Sequence, residues 1–191
     1  MGQEVSSKRS AERAKRSRVR HGLVIVNTGE GKGKTTAALG VIFRAWGRDF
    51  GIRMFQFIKH TGARFGEHRA AKRLNIPIES LGDGFTWLSK DMDRTAALAV
   101  EQWNRCKEAI SGGGEDIIVL DEFTYAMHYG WIPVGEVIDT LRRRPDSMHV
   151  IITGRYAPQE LIDYADLVTE MKLIKHPFVG RGIRAQKGLE F

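Results

Sequence analysis

The sequence predicts an α/β fold in which a mainly parallel sheet lies between helical layers. Apolar runs of four to six residues alternate with runs of helical periodicity, the pattern of repeated strand–helix–strand units. The continuous apolar run Ile117–Leu120 is typical of a strand that is covered on both faces. A glycine-rich turn joins the first predicted strand to the first predicted helix, which also fits this fold class.

Six strands are predicted from the apolar runs, at Leu23–Val26, Met54–Ile58, Ile76–Leu81, Ile117–Leu120, His149–Thr153 and Leu167–Met171. Five helices are predicted between them, at Thr35–Trp46, Phe65–Leu74, Asp91–Ile110, Pro133–Leu141 and Pro158–Tyr164. Gly47 ends the first helix, and a proline at the first position begins the fourth. The chain from Lys175 to Phe191 is rich in Gly, Lys and Arg, and we expect it to be irregular.

The longest predicted helix has a clear apolar face and a clear end. Apolar residues recur at spacings of three and four, which places them on one side of a helix: Met92, Ala96, Ala99, Trp103, Cys106 and Ile110. Three consecutive glycines at 112–114 then stop the helix. Such a helix is expected to pack on the sheet along that face.

The composition is that of an ordinary globular protein with a sizeable core. The chain has 191 residues, of which 42% are hydrophobic and 28% are charged. Its single cysteine, Cys106, excludes an intrachain disulfide and fits a reducing, cytoplasmic compartment. No stretch approaches the ~20 apolar residues of a membrane span, and no apolar block of a secretory signal follows the first residues.

The net charge of +7 is concentrated at the start of the chain. Residues 1–21 contain seven Lys and Arg and two acidic residues, a balance of +5, so the remaining 170 residues carry +2. We therefore predict a basic N-terminal arm over residues 1–21, mobile or helical, and a single domain over residues 22–191. A basic arm of this kind can bind nucleic acid by releasing the counterions of the phosphates. Charge runs are more often simply solvated, so we expect no nucleic-acid partner.

A phosphate-binding loop is predicted at Thr28-Gly29-Glu30-Gly31-Lys32-Gly33-Lys34-Thr35-Thr36, between the first strand and the first helix. Alternating glycines let the backbone curl closely around a triphosphate, so that successive N–H groups point inward. The helix beginning near Lys34 adds its N-terminal dipole. In this pattern the ammonium of Lys34 contacts the outer phosphates and the hydroxyl of Thr35 ligates Mg²⁺.

The loop departs from the usual spacing at one position, where Thr28 stands in place of the first glycine. A dinucleotide-binding loop fits less well, because the two-residue gap before the third glycine is absent. The predicted fold is therefore that of the P-loop nucleoside triphosphatases, of the RecA type.

Two adjacent carboxylates, Asp121 and Glu122, follow the buried strand Ile117–Leu120. Ligands of open parallel sheets bind beyond the carboxyl ends of the strands, where the phosphate loop also lies. A carboxylate there is suited to hold Mg²⁺ directly or through water. The alternative is a pair of capping or ion-pairing residues. We favour a metal site formed with Thr35, without separating the two carboxylates.

Two arginines and two aromatic residues are weaker candidates. Arg155 follows the strand His149–Thr153 and fits a phosphate contact about as well as a surface position. Arg44 lies on the first helix, nine residues after Thr35, and contacts a nucleotide only if the fold brings the far end of that ligand back to it. Phe85 and Trp87, after a Gly-Asp-Gly turn, belong either to the core or to an apolar wall for a flat ligand, and composition alone favours the core. Three histidines lack metal-ligand spacing and are expected to be structural: His128, His149 and His176.

Several segments together resemble the ATP:corrinoid adenosyltransferases of the cobalamin pathway. They are, in order, residues 28–38, 56–59, 84–87, 121–125, 151–155 and 175–178. The resemblance covers about residues 22–191, and the Phe-Thr-Trp segment with the C-terminal motifs is more specific than the phosphate loop alone. The departures are Glu30, where the family often has Asn, and His60, where it often has Gly.

The resemblance implies a mechanism in which the Co(I) of a corrinoid attacks the 5′ carbon of ATP and triphosphate leaves. Lys34, the loop amides and Mg²⁺, or Mn²⁺ in its place, would stabilise the leaving triphosphate. Phe85 and Trp87 would press on the lower face of the corrin ring and displace its axial ligand, which reverses the preference for the core. The resemblance also implies a homodimer and a reductase or flavodoxin-like electron donor.

The candidate residues fall into four groups. Lys34, Phe85 and Trp87 are the predicted catalytic residues, and Phe85 and Trp87 also face the corrinoid. Thr35, Asp121 and Glu122 are the predicted metal site. The predicted ATP-binding residues are Thr28, Gly29, Glu30, Gly31, Lys32, Gly33, Lys34, Thr35, Thr36, Arg44 and Arg155. The alternative functions are an ATPase or kinase that cleaves at the γ-phosphate and a nucleic-acid-binding ATPase that uses the basic arm.

Overall fold

A computed structural model of the chain describes residues 21–59, 65–82 and 92–190. Its centre is a six-stranded sheet with the strand order β3-β2-β4-β5-β1-β6. All of the neighbouring strands pair in parallel. The strands are β1 Val24–Thr28, β2 Ile52–Phe57, β3 Ile78–Leu81, β4 Ile117–Asp121, β5 His149–Thr153 and β6 Leu167–Glu170. The predicted α/β fold with a parallel sheet is confirmed.

Helices connect most of the strands in the alternation that the sequence predicts. In chain order they are α1 Lys34–Trp46, α2 Gly66–Leu74, α3 Met92–Gly112, α4 Thr124–His128, α5 Val134–Arg142, α6 Gln159–Tyr164 and α7 Pro177–Arg181. The long helix α3 ends within the predicted run of glycines. No helix in the described ranges is both long enough and apolar enough to cross a membrane.

The core has two layers, one on each face of the sheet, because successive strand residues point to opposite faces. On one face, Ile117, Val119 and Ile151 pack with the buried side of α1 and with Ala71 of α2. On the other face, alternate residues of the same strands pack with α3, α5 and α6: Ile118, Leu120, Val150 and Ile152. All five residues of β4 are buried, as the continuous apolar run predicts.

The structure differs from the sequence-based expectation in three places. A short helix, α4, follows the acidic pair, and α7 interrupts the tail that was expected to be irregular. Both helices have only five residues, too few to show helical periodicity in a sequence. Met92 was expected on the buried face of α3 but is 41% exposed at the first position of the helix.

The strand order brings four chain segments to the same edge of the sheet. The loop after β1, the turn after β2, the acidic pair after β4 and the turn after β5 all leave the carboxyl ends of parallel strands. Gln56 of β2 lies in register with Asp121 of β4, and Asn27 of β1 lies in register with Thr153 of β5. This edge is where an open parallel sheet binds its ligands.

Candidate functional site

The loop between β1 and α1 is folded around the side chain of Lys34. The Lys34 ammonium donates hydrogen bonds to the carbonyl of Gly29 at 2.8 Å and to the carbonyl of Gly31 at 2.7 Å. The residue is only 7% exposed. Burial lowers the pKa of Lys34 from its usual value, and the charge of Glu122 opposes this shift. The cation is thus held inside the curve of the loop, which is the position that a phosphate-binding lysine needs.

The glycines of the loop are required by backbone geometry and by a neighbouring segment. Gly29 and Gly33 have φ angles of 95° and 110°, which favour glycine. A Cβ at Gly31 would lie 2.7 Å from the carbonyl oxygens of Met171 and Lys172, which follow β6. The sequence predicts successive amides that point toward a ligand, but the amide of Gly31 donates to the Met171 carbonyl at 2.6 Å. The loop is therefore braced from outside by the chain after β6.

Asp121 is a fully buried carboxylate at the centre of the site. Its Oδ1 accepts hydrogen bonds from the hydroxyls of Thr35 and Thr153, each at 2.7 Å. Its Oδ2 accepts one from the Gln56 amide at 3.2 Å, and the Lys59 ammonium lies at the same distance. Four donors match the four lone-pair positions of a carboxylate. Asp121 is therefore satisfied within the protein, and it fixes the Thr35 hydroxyl beside the loop.

Glu122 is in a different environment from its neighbour. Its φ of 58° turns the chain away from the direction of β4, and its amide donates to the Thr153 hydroxyl at 3.0 Å. Its Oε2 is buried and has no hydrogen-bond partner among the described residues. Burial raises the pKa of Glu122 to about 7, and the charge of Asp121 adds to this shift. Of the two carboxylates, Glu122 is the one with a coordination position to offer.

Arg155 reaches the phosphate loop from the end of β5. Its guanidinium lies 3.0 Å from the carboxylate of Glu30, so the residue that is unusual in the loop pairs with a predicted phosphate-binding arginine. Gly154, with a φ of 139°, allows this turn to pack against Thr124 of α4. The Thr124 hydroxyl donates to the Arg155 carbonyl. The pair with Glu30 is half-exposed and is expected to add little stability.

The structure brings most of the predicted residues together but leaves Arg44 apart. Arg44 is exposed in the last turn of α1, and at 1.5 Å per residue it lies roughly 15 Å along the helix from Lys34. Lys32 projects outward and pairs with Glu190, and Thr36 is exposed. Phe85 and Trp87 lie outside the described residues, as do residues 1–20 of the predicted arm.

Three contacts of Asp121 were not predicted from the sequence. Gln56 and Lys59 come from the end of β2, and Thr153 is the last residue of β5. The sequence feature that could have indicated these contacts is the presence of polar residues at the ends of apolar strands. In the described parts of the chain, no group of three or more His, Cys, Asp or Glu side chains is arranged to hold a metal. A cation here would need the Thr35 hydroxyl, one carboxylate and oxygens of its ligand.

Comparison with known proteins agrees with the geometry. The family model of the ATP:corrinoid adenosyltransferases BtuR/CobO/CobP matches residues 20–191. A corrinoid adenosyltransferase from a Sinorhizobium species is 44% identical over 173 residues, which are 89% of this chain and 80% of that protein. The corrinoid adenosyltransferase CobA of Salmonella typhimurium is 38% identical over 170 residues, 89% of this chain and 86% of its own.

One solved structure has a similar fold at low sequence identity. The flagellar accessory protein FlaH from Methanocaldococcus jannaschii superposes with a TM-score of 0.54 at 11% identity. The match covers 78% of this chain and 71% of that protein. At this identity the likeness concerns the fold alone.

Proposed function

Because the chain belongs to the ATP:corrinoid adenosyltransferase family and is thus a transferase that adenosylates corrinoids with ATP, we propose that triphosphate leaves in one piece from the Lys34 loop. The lone pair of Co(I) forms a bond to the 5′ carbon of ATP, and the cobalt becomes formally Co(III). The bond between that carbon and the phosphate oxygen breaks, and its electron pair leaves with the triphosphate. No water and no phosphate acceptor take part in this step.

The observation that carries the proposal is the enclosure of the Lys34 ammonium by its own loop, 2.7 Å from the Gly31 carbonyl. A buried cation that is already oriented does not need to reorganise when negative charge develops on the leaving group. The N-terminus of α1 adds its dipole at the same point. Arg155, which follows β5, would exchange its ion pair with Glu30 for an outer phosphate of the nucleotide.

The residues present fit a Mg²⁺ or Mn²⁺ ion that accompanies the triphosphate. The orphaned, buried Oε2 of Glu122 and the hydroxyl oxygen of Thr35 are hard oxygen ligands, which such ions prefer. Asp121 would act indirectly: it accepts a hydrogen bond from the Thr35 hydroxyl, which leaves the lone pairs of that hydroxyl oxygen available to an ion. The ion, when bound, neutralises charge on the phosphate oxygens.

The remaining parts of the proposal rest on the family resemblance. By this resemblance Phe85 and Trp87 would form an apolar wall against the corrin ring and exclude water from the reduced cobalt. We further propose that the enzyme is a cytoplasmic homodimer supplied with electrons by a reductase or a flavodoxin-like protein. The single buried thiol, Cys106, is compatible with a reducing compartment.

A product assay tests the proposal directly. The chain is mixed with MgATP and chemically reduced cobalamin in the dark without oxygen, and triphosphate is separated from ADP and phosphate. We expect one triphosphate and one light-sensitive adenosylcobalamin per turnover. ADP with an unchanged corrinoid spectrum would instead support the ATPase or kinase that cleaves at the γ-phosphate.

The same assay tests the role of the loop lysine. Lys34→Ala removes the cation from the leaving group, and we expect turnover to fall at least about 100-fold. Lys72→Ala, on the exposed side of α2, is the matched control and should remain active. Activity of Lys34→Ala close to that of the unmodified enzyme would contradict the assignment of the phosphate loop.

A further inference from the structure

Lys59, at the end of β2, is a cation of the site that the proposed function does not use. Its ammonium lies 3.2 Å from Oδ2 of Asp121 and 3.1 Å from Oε1 of Glu67, the second residue of α2. The ring centroid of Phe65 lies 5.5 Å away. The side chain is 19% exposed, so this charge is held at the boundary between the core and the carboxyl edge of the sheet.

The backbone that presents Lys59 is in an unusual conformation. Ile58 has a φ of 68°, and the Lys59 amide donates to the Phe57 carbonyl at 2.7 Å, which closes a three-residue γ-turn. A β-branched residue rarely adopts this region, because its side chain meets its own backbone. Gly82 accommodates the turn, since a Cβ there would lie 2.5 Å from the Ile58 carbonyl carbon. Strain of this kind is often retained at binding and catalytic sites.

The strand order places Lys59 opposite the other cations of the site. Lys34 comes from the β1 loop and Arg155 from the end of β5, whereas Lys59 approaches the β4 carboxylates from the β2 side. Lys59 and Thr35 contact the two different oxygens of the same carboxylate, Asp121. The single carboxylate of Asp121 therefore joins Lys59 to the Thr35 end of the phosphate loop. The two carboxylate contacts use two of the three N–H groups of the ammonium.

We propose that Lys59 is a second triphosphate-binding cation, which moves from the carboxylate of Glu67 to a phosphate oxygen when ATP binds. The inference rests on the proposed function, in which triphosphate is the leaving group. As the bond to the 5′ carbon breaks, its electron pair passes to the triphosphate. A cation that already contacts a phosphate oxygen stabilises the added negative charge. Lys59 thereby contributes to the rate as well as to binding.

The competing explanation is that Lys59 only neutralises the buried Asp121. The partner Glu67 separates the two explanations, because it contacts the ammonium at 3.1 Å and is not one of the four donors that satisfy Asp121. If Lys59 is structural, Glu67→Gln improves triphosphate affinity at most by removing one repelling charge, and it does so equally when Lys59 is also Gln. If Lys59 binds triphosphate, removing Glu67 also frees the ammonium, so affinity increases further and this gain is absent from the double variant Lys59→Gln/Glu67→Gln.

The experiment titrates the full-length chain with inorganic triphosphate and Mg²⁺, without corrinoid, by calorimetry. We expect Lys59→Gln to weaken binding about tenfold, as for loss of one charge-assisted hydrogen bond. Lys59→Arg should retain affinity within about threefold, and Glu67→Gln should bind about two- to fivefold more tightly than the unmodified chain. Lys107→Gln, which breaks the exposed ion pair with Glu136, is the matched control and should bind normally.

Two results would overturn the assignment of Lys59. One is Lys59→Gln binding triphosphate within about twofold of the unmodified chain at a temperature where both are folded. The other is Glu67→Gln binding with equal or lower affinity, or with a gain that the double variant Lys59→Gln/Glu67→Gln retains in full. Equal or lower affinity of Glu67→Gln decides alone if Lys59→Gln does not fold. The titration contains no corrinoid, so it is independent of the product assay. Release of ADP by the unmodified enzyme would reject the proposed function and leave the titration result for Lys59 standing.

Discussion

Asp121 and Glu122 show how two adjacent residues of the same chemistry can have separate roles. Asp121 ends β4 in the extended conformation and is saturated by four donors, whereas the φ of 58° at Glu122 turns its carboxylate into a buried position where Oε2 lacks a partner. An acceptor that is already satisfied orients other groups, and an acceptor that is unsatisfied is available to a ligand. The sequence could not separate them, because the difference lies in one backbone angle and in contacts with distant strands.

The environment of Glu122 predicts how the stability of the metal-free protein depends on pH. Its pKa is raised from 4.5 to about 7, so the folded chain binds this proton more tightly than the unfolded chain does. The free energy of unfolding should therefore decrease as pH rises through this interval. Glu122→Gln removes the ionisation, and above pH 7 we expect it to be more stable than the unmodified chain by at most about 3 kcal/mol.

Denaturant unfolding in the presence of a chelator, from pH 4.5 to pH 8, provides the measurement for Glu122→Gln. The difference in stability between the variant and the unmodified chain should be small at the acid end and should grow toward pH 8. Glu108→Gln, on the exposed side of α3, is the surface control. A difference that stays constant over the whole interval would contradict the effect of burial on the Glu122 carboxylate.

At the scale of elements, the sequence predicted those parts of the fold that depend on local pattern. The six strands follow from their apolar runs, the five longer helices from the helix-like segments between them, and the loop of Lys34 from its glycines. The helices α4 and α7 were missed because a helix of five residues is too short to show a repeating pattern of apolar residues. Gln56 and Lys59 were missed as site residues because their roles depend on β2 pairing with β4, a contact between distant parts of the chain.

The turn after β5 depends on Gly154. A Cβ at this position would lie 2.1 Å from the hydroxyl oxygen of the fully buried Thr124, and the φ of 139° disfavours other residues. Gly154→Ala should therefore displace the turn that carries Arg155 from α4. We expect a loss of at least about 2 kcal/mol in the free energy of unfolding, measured by denaturant titration.

A second glycine, Gly40, is the matched control for Gly154→Ala. It lies at an exposed position in the middle of α1, where a Cβ would meet nothing within 4 Å. Gly40→Ala should stabilise the protein by about 0.5–1 kcal/mol, because alanine loses less backbone freedom in a helix. Equal effects of the two substitutions would show that the contact with Thr124 does not limit the β5 turn.

At the scale of the whole molecule, the order of the strands assembles the site. The described part of the chain is anchored at residue 22, just before β1. The Gly22 amide donates to the Asp146 carbonyl, and the Gly22 carbonyl accepts from the guanidinium of Arg144, both at 2.6 Å. Arg144 is 8% exposed and also donates to the carbonyls of Leu141 and Met148. These contacts join the residues just before β1 to the segment before β5.

The anchor at residue 22 predicts that the basic arm contributes charge but no stability to the fold. Deletion of residues 1–20 removes seven basic and two acidic residues and lowers the net charge from +7 to +2. We expect the free energy of unfolding to change by less than about 0.5 kcal/mol, because the contacts that begin at Gly22 are retained. Arg144→Met, which removes the anchor itself, should cost about 2–4 kcal/mol, since it removes the guanidinium that donates to three buried carbonyls. A deletion as costly as Arg144→Met would mean that the arm packs on the sheet.

A deletion without cost leaves the arm free for a role outside the fold. Any nucleic-acid binding that the arm supports should then weaken steeply with salt and disappear when the arm is deleted.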